Sequence, residues 1–537
     1  MLTKLCCYAK GGICIKFLMI DIGYDCEELN EPLGLEALHS YLYENMKDIE
    51  IYTHCASIEK TNYTNLLNSV CPDIVGISTH INTWSRFNEF YTAYVEYCSS
   101  HYVEPIIIVG GILGTYEYEL LLDNYSNVIC SIGEGEYSLL QVLRIAKNNE
   151  NCEFETLLSI IHSNSCVNLA YKFNGEILCT RRQALSPLPD ITNKYSHKYL
   201  PSILNNGGIA RIEASRGCPW NCCSFCVLDW KYAGSKWRPY HWSKVIPEII
   251  DMSNQGANTI YFTDEEFLGG DYQRIQEFIN HIQLLKQNNI LKNDLEFIAS
   301  TSTRAILGKY GMGKKAAKEC LIQLKNIGFR CFFIGIESGS DSQLKRFKKG
   351  CTVNENEEAL ALLRNLSIEA DIGYILFDPL LTVQELSESL EFLKRNNLDM
   401  HISRFAKKLR LVPHTAFSNY PNIIFEQYDH NSVELRYRFS DPYIQKIYDC
   451  YSYWEASRLT ETHTVQAKIR ALGSSPKRDI MINLLEKMRK TEFDTLKALV
   501  TLAQTMPDFI NQHQDAILVQ VSDLLTINPH GKGDQNE

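Results

Sequence analysis

Short apolar runs alternate with longer stretches of helical spacing twice along this chain, once before residue 140 and again between residues 207 and 415. In the first stretch Ile15 to Asp21, Asp73 to Ser78 and Ile106 to Gly111 are strand candidates. Each is followed by a segment whose apolar residues recur every three or four positions, such as Leu35, Leu38 and Leu42. Apolar strands alternating with helices predict an α/β fold with a parallel, doubly wound sheet. The expected extent of this first domain is residues 1–149. Ligands bind such sheets at the carboxyl ends of the strands. Gly110 and Gly111 would allow close approach there, or serve a tight strand-to-helix turn.

Residues 150–206 read as a connector. Val167 to Tyr171 and Ile177 to Thr180 flank Asn174-Gly175, a strong hairpin signal. Leu185 to Asp190, with Pro187 and Pro189, reads as an extended linker. Alternation then resumes over 207–415. The strand candidates are Ile209 to Ala214, Thr259 to Phe262, Leu295 to Ala299, Cys331 to Ile336, Ile372 to Phe377 and Ala406 to Leu411. Thr352-Val353-Asn354-Glu355 and Thr382-Val383-Gln384-Glu385 each precede a leucine stripe and predict helices opened by capping boxes. Such strand–helix units predict a partial (β/α)6 barrel with its chemistry on the loops after the strands. Beyond 416 the pattern loses strands. Tyr443 to Ala456 and Asp479 to Ala503 predict amphipathic helices and His530 to Glu537 a polar tail, so 416–537 is expected to be helical.

At 537 residues the chain exceeds one compact domain, and about two to four are expected. A net charge of −11 and a pI of about 5.8 argue against a nucleic-acid surface. The local basic cluster Lys345-Arg346-Phe347-Lys348-Lys349 reads as a solvated helix end. Met1 to Gly23 interleaves Lys4, Lys10 and Lys16 with apolar residues and does not read as a signal peptide. The apolar run at Pro105 to Val109 is too short to span a bilayer. The 19 cysteines are scattered rather than spaced as a disulfide framework, so a cytoplasmic, reducing setting is expected.

The candidate chemistry is concentrated in Arg216-Gly217-Cys218-Pro219-Trp220-Asn221-Cys222-Cys223-Ser224-Phe225-Cys226, just after the first strand of the second series. Cysteines so close together can turn several thiolates toward one metal centre, and thiolates are the usual ligands of iron–sulfur clusters. Three ligands to a four-iron cubane leave one iron open. If the tail of the loop sets the register, the ligands are Cys218, Cys223 and Cys226. If the head sets it, Cys222 replaces Cys223. The tail is favoured because Cys223-Ser224-Phe225-Cys226 makes the tight C-x-x-C turn. A zinc knuckle using all four thiolates is the competing reading. Adjacent cysteines point apart, and no second pair lies nearby to complete it.

The loop resembles, with one residue extra, the C-x-x-x-C-x-aromatic-C signature of the radical S-adenosylmethionine (SAM) superfamily. Over residues 12–415 the chain resembles the cobalamin-binding radical SAM enzymes. Pro32-Leu33-Gly34-Leu35, Pro72 to Ser78, Val109-Gly110-Gly111 and Gly133-Glu134-Gly135-Glu136 fall in the order of that family's Rossmann-like cobalamin-binding domain. Trp237-Arg238-Pro239, Phe262 to Phe267 and Ile334 to Ser340 followed by Leu344-Lys345-Arg346 resemble its barrel.

The resemblance implies a 4Fe-4S cluster, SAM and cobalamin as cofactors, with a 5′-deoxyadenosyl radical formed from SAM. It implies Glu337, Ser338, Asp264 and Arg304 as SAM contacts and Gly110 and Gly111 as the cobalamin site. Asp21-Ile22-Gly23-Tyr24 lacks the histidine of the Asp-x-His-x-x-Gly motif, so no protein histidine below cobalt is expected from it. Phe377 to Thr382 departs from the glycine-rich turn common after the fifth strand. The expected activity is methyl transfer to an unactivated carbon. Its competitors are a radical rearrangement, cyclisation or transfer of another SAM fragment, and a degenerate cluster-binding scaffold. Expected partners are a small-molecule or peptide substrate and an electron donor such as flavodoxin or ferredoxin, without nucleic acid or a membrane span.

Overall fold

The computed structural model describes residues 15–24, 29–149, 153–188, 197–400, 402, 404–471, 476–506 and 508–527. The tail His530 to Glu537, the linker beyond Leu188 and the first fourteen residues lie outside the described residues.

The first sheet contains β1 (Ile15–Asp21), β2 (Ile49–Cys55), β3 (Ile74–Thr79), β4 (Ile106–Gly110), β5 (Val128–Ser131), β6 (Leu169–Phe173) and β7 (Glu176–Cys179). Its order is β2-β1-β3-β4-β5-β6-β7, with β1 to β5 parallel. Successive side chains alternate between faces. Leu18, Ile20, Val75 and Ile77 enter one core with the helices Tyr63–Val70 and Trp84–His101. Phe17, Met19 and Ile108 enter a second core with Leu33–Asn45, Gly135–Asn148 and Phe154–Ser163. Two apolar faces explain why these strands read as continuous apolar runs. The order 2-1-3-4-5 puts its switch point, where ligands bind, between β1 and β3.

The predicted hairpin forms around Asn174-Gly175, but it does not stand apart in a connector. β6 pairs antiparallel with β5, and β7 with β6, so the hairpin extends the first sheet.

The second series gives β8 (Ala210–Ile212), β9 (Ser215–Arg216), β10 (Arg238–Pro239), β11 (Thr259–Phe262), β12 (Glu296–Thr301), β13 (Phe329–Glu337) and β14 (Glu369–Tyr374). A 5-stranded parallel sheet runs β14-β13-β12-β11-β8, while β9 and β10 form a two-stranded ribbon beside it. The expected sixth strand, Ala406 to Leu411, is reduced to a single parallel bridge between Phe377 and Lys408 and one bond from Leu409 N–H to Phe377 O, 2.7 Å. Both capping boxes form, Thr352 with Glu355 and Thr382 with Glu385.

The expectation that strands end at 416 is corrected by an antiparallel hairpin, β15 (Ile424–Asp429) and β16 (Glu434–Arg438). Its tip reaches the first domain. Asn82 N–H donates to Asn431 O (2.8 Å), the Trp84 indole to His430 O (2.9 Å), and Tyr428 and His430 both engage Glu117. The helices Pro442–Ala456 and Pro476–Thr505 form as expected and share one continuous core with the barrel through Phe405, Ile444, Tyr451, Phe493 and Leu496. Among the described residues no helix is long and apolar enough to cross a membrane.

Candidate functional site

The cysteine loop leaves the end of the first barrel strand under tight backbone control. Gly217 has φ +86°, and a Cβ there would meet Lys236 O at 2.3 Å, so only glycine fits before Cys218. Its N–H donates to Glu265 Oε2 at 2.9 Å. Asn221 turns the chain again at φ +42°. Ser224 then fastens the middle of the loop. Its N–H donates to Phe347 O (2.9 Å), its hydroxyl to Arg346 O (2.9 Å), and its carbonyl accepts from Phe417 N–H (2.7 Å). Cys226 N–H donates to Cys223 O at 3.1 Å, closing the C-x-x-C turn.

That anchoring separates the two adjacent cysteines. Cys222 is exposed, whereas Cys218, Cys223 and Cys226 are partly buried. Burial raises all three of these thiols, Cys223 to about 12, and the nearby Lys349 ammonium opposes the effect. Cys223 also feels Cys218, Cys226 and Glu337, which places those groups around one space. A single tetrahedral zinc with Zn–S bonds of about 2.3 Å needs its sulfurs about 3.8 Å apart. Among the described residues no three cysteines have sulfurs within 4.8 Å of one another. Thiols that share a pocket without converging on one point suit a cubane, whose thiolates bind different irons.

The carboxylates after β11 are divided in their tasks. Asp264 is 1% exposed and accepts from Ala214 N–H (2.9 Å) and the Ser215 hydroxyl, so it braces the start of the loop. Burial pushes its carboxyl up to about 7. Glu265 takes Gly217 N–H, Lys231 Nζ (3.1 Å) and Tyr232 OH (2.8 Å). Glu266 accepts from Thr301, Ser302 N–H and the Ser302 hydroxyl and acts electrostatically on Cys218. Sequence reading singled out Asp264 and passed over Glu265 and Glu266. Their place in the run Asp264-Glu265-Glu266 at a strand end was the available signal.

Glu337 ends β13 with φ +66°, a conformation a glutamate adopts only when its surroundings impose it. Its Oε1 accepts from Lys349 Nζ at 3.1 Å. Burial works against the Lys349 ammonium, but Glu337 and Cys223 outweigh it and hold its pKa above the ordinary lysine value. Ser338 is fully buried and bonded to Gln343 Oε1 and Ser340 N–H, inside the turn. Arg304 stacks 3.9 Å over the Trp220 ring and donates to Gly350 O at 2.5 Å, behind the loop. The basic cluster is not the solvated helix end expected of it. Lys345 and Lys348 are exposed, but Arg346 turns inward to Asp378 (2.8 Å) and Glu385 (2.8 Å), and Lys349 to Glu337. Asp378, in the unusual segment after the fifth strand, also accepts from Gln343 Nε2 at 2.7 Å.

A cleft holding about 940 Å3 of empty space, its mouth included, lies over the carboxyl ends of the first sheet. Ser78, Gly110, Gly111 and Gly133 to Glu136 line one side, and Glu213, Arg216, Lys231 and Tyr232 of the barrel line the other. Gly110 leaves open room, since a Cβ there would come no nearer than 3.8 Å to another atom. Gly111 is fixed by its turn, with φ +76° and Thr79 O only 2.2 Å from where a Cβ would lie. Beside this cleft, sharing Gly34 and Ser78 with it, is a smaller one lined by Asp21 and His80. His80, from the loop after β3, bonds Asp21 Oδ2 through Nε2 at 2.9 Å. The sequence signal missed was a histidine directly after a strand adjacent to β1. The concave, glycine-floored cleft and the cysteine loop therefore share Arg216 and the Lys231–Tyr232 segment as a common wall. That arrangement fits a large planar cofactor on one side and a cluster on the other.

Residues 212–393 match the model of the Radical SAM superfamily. A 4′-phospho-dehydrooxetanocin synthase of Priestia megaterium is 28% identical over 390 residues, 68% of this chain and 48% of that protein, so the chain spans about half of that relative. The hopanoid C-3 methylase of Methylococcus capsulatus is 24% identical over 64% of this chain and 61% of the methylase. The solved cobalamin-dependent SAM radical enzyme OxsB, with aqua-cobalamin and SAM bound, superposes with a TM-score of 0.80 at 20% identity, covering 96% of this chain and 75% of OxsB. Residues 212–393 are thus a radical SAM domain with the cysteine loop at its mouth, and the chain as a whole has the fold of the solved OxsB.

Proposed function

We propose that this enzyme binds cobalamin in the cleft over the first sheet and transfers a methyl group to an unactivated carbon. The observation that carries the reading is the wall shared by cleft and cysteine loop, with Arg216 lining the cleft two residues before Cys218. In this reading Cys218, Cys223 and Cys226 hold a 4Fe-4S cluster, with Cys222 as the alternative to Cys223. Glu337 is the candidate contact to SAM, whereas Ser338, Asp264 and Arg304, expected beside it as SAM contacts, are bonded within the turn and the loop and are assigned here to fixing them. Gly110 and Gly111 form the floor for cobalamin. When bound, these groups supply a 5′-deoxyadenosyl radical and a methyl carrier.

The chain's own residues orient and shield that chemistry. Lys349 fixes the Glu337 carboxylate by a bond of 3.1 Å. Glu265 ties Gly217 to Lys231 and Tyr232, so that the loop and the cleft wall move as one piece. Ser224 is fully buried and bonded to the backbone of Arg346, Phe347 and Phe417, which fixes the middle of the loop. We also infer a small-molecule or peptide substrate, a one-electron donor such as flavodoxin or ferredoxin, and a reducing compartment.

A second reading, radical rearrangement or cyclisation without methyl transfer, is favoured by the likeness over 68% of the chain to the Priestia protein, which is by name a synthase and not a methylase. Mass analysis of SAM products after anaerobic turnover separates the two. S-adenosylhomocysteine together with 5′-deoxyadenosine supports methylation, and 5′-deoxyadenosine alone supports the second reading. Neither product from cluster-loaded protein with reductant overturns both.

A further inference from the structure

Behind the wall of the cleft, three side chains meet out of contact with water. Glu31 precedes the helix Leu33–Asn45, Glu36 lies in its first turn, and His197 leads into the short helix Leu200–Asn205. They are 5%, 3% and 1% exposed. His197 Nδ1 is 3.0 Å from Glu31 Oε1 and 3.8 Å from Glu36 Oε2. One ligand atom from each residue lies within 4.8 Å of the others, and among the described residues this is the one such group of histidine, cysteine and carboxylate donors.

Glu31 Oε2 and both carboxylate oxygens of Glu36 are buried without a hydrogen-bond partner. A buried carboxylate left without compensation is strongly destabilising. Glu248, on the barrel helix Trp242–Asn254, is 1% exposed, has its Oε1 likewise unpartnered, and acts electrostatically on Glu36 and His197. Lys198 and Lys244 lie near the group, yet neither is hydrogen-bonded to these oxygens. No hydrogen-bonded cation reaches the unpartnered oxygens.

We propose that Glu31, Glu36 and His197 form a buried site for one divalent first-row transition-metal cation. Metal–donor bonds of about 2.1 Å place neighbouring donors about 3.0 Å apart in an octahedron and about 3.4 Å apart in a tetrahedron. The observed separations of 3.0 and 3.8 Å need only small side-chain shifts to reach either geometry. One imidazole with two carboxylates suits Mn2+, Fe2+ or Zn2+ better than Ca2+ or Mg2+, which take oxygen alone. The cation joins the first helix of the first domain to the segment that enters the barrel, with Glu248 of the barrel behind it. It braces the Pro32–Gly34 turn, which lines the neighbouring clefts. The site is independent of what the larger cleft binds.

Mn2+ is the probe, because thiolates of the cysteine loop compete for it poorly. The full chain is stripped with chelator, loaded with Mn2+, and the ion retained after gel filtration is counted by elemental analysis and by its paramagnetic resonance signal. About one Mn2+ per chain is expected, in the parent and in the Cys218→Ala, Cys223→Ala, Cys226→Ala triple variant alike. Glu36→Gln and Glu31→Gln should each bind at least tenfold more weakly, with Zn2+ displacing Mn2+ from the parent. Added Mn2+ should raise the parent's melting temperature and leave that of Glu36→Gln unchanged. Retention of neither Mn2+, Zn2+ nor Fe2+ by the parent overturns the proposal whatever the variants do. So does equal retention, or an equal melting shift, in the parent and Glu36→Gln.

Discussion

The carboxylate of Glu134, in the turn after β5, lies 2.8 Å from the guanidinium of Arg216, two residues before Cys218. Both side chains are more than nine-tenths buried. Glu134 also holds Arg238 at 2.9 Å and accepts from Leu185 N–H at 2.8 Å, while Arg216 binds Glu136 and Glu213 at 2.8 Å each. One cluster of buried charges thus fixes the cleft floor of the first domain against the cysteine loop of the second. Removing one member of a buried pair leaves its partner uncompensated, at a cost of about 3 kcal/mol. Glu134→Gln should lower the stability of the chain by that order in urea unfolding, whereas Glu119→Gln, outside the cluster, should leave it within about 0.5 kcal/mol.

The burial of Cys223 and the exposure of Cys222 give a direct test of the ligand register. After anaerobic reconstitution, parent protein should hold about four irons per chain. Cys218→Ala, Cys223→Ala and Cys226→Ala should each lose most of the iron and the broad visible absorption, and Cys222→Ala should retain both. Iron lost from Cys222→Ala and kept by Cys223→Ala would place the head of the loop, not its tail, in control.

Asp264 gives a pH signature. Burial raises its carboxyl from 3.8 to about 7 in the folded chain. The folded state therefore binds this proton more tightly than the unfolded state between those two values. Asp264 stabilises the fold below pH 4, and that contribution is lost as pH rises towards 7. A shift of this size corresponds to a few kcal/mol, on the order of 1.4 per pH unit. Melting temperatures from pH 4 to 8 should show a decline attributable to Asp264 that Asp264→Asn flattens. An unchanged profile in the variant would mean that the bonds from Ala214 and Ser215 hold the carboxylate ionised.

Burial on both faces made most strands legible, although β5, buried at all four of its positions, was too short to be singled out. β1, β3 and β4 read directly as apolar runs, and β11 was located to the residue. β2 was not singled out, because it is an edge strand whose outer positions alternate polar residues into Ile49-Glu50-Ile51-Tyr52. β14 begins at Glu369, three residues before its apolar part, so the sequence placed it late. The hairpin β15–β16 escaped notice because most of β15 is exposed, and its burial comes from Val433 in the turn and Tyr437 near the open end. The cysteine loop and Glu337 were visible as motifs. What pattern could not reveal was which carboxylate faces which partner. Asp264, Glu265 and Glu266 are adjacent in sequence, yet they bond Ala214, Gly217 and Ser302 respectively.

The segment after β1 offers no histidine, and the expectation from it is cobalamin with its own base displaced and no nitrogen ligand from the protein. The fold adds a second candidate that the motif did not cover. His80 stands at the end of β3, across the switch point from β1, in a cleft that adjoins the larger one through Gly34 and Ser78. Its Nε2 is engaged by Asp21 at 2.9 Å, and its ring lies 4.7 Å from that of Tyr24. A carboxylate on one ring nitrogen is the usual support of a histidine that ligates through the other, but His80 lines the smaller cleft and not the larger one. Protein loaded with hydroxocobalamin and reduced to the Co(II) state should therefore show no nitrogen splitting in its paramagnetic resonance spectrum, and His80→Ala should leave the spectrum unchanged. A nitrogen splitting abolished by His80→Ala would instead make Asp21 and His80 the lower-ligand pair. If no cobalamin stays bound through gel filtration, the methyl-transfer reading fails and cobalamin-free radical chemistry replaces it.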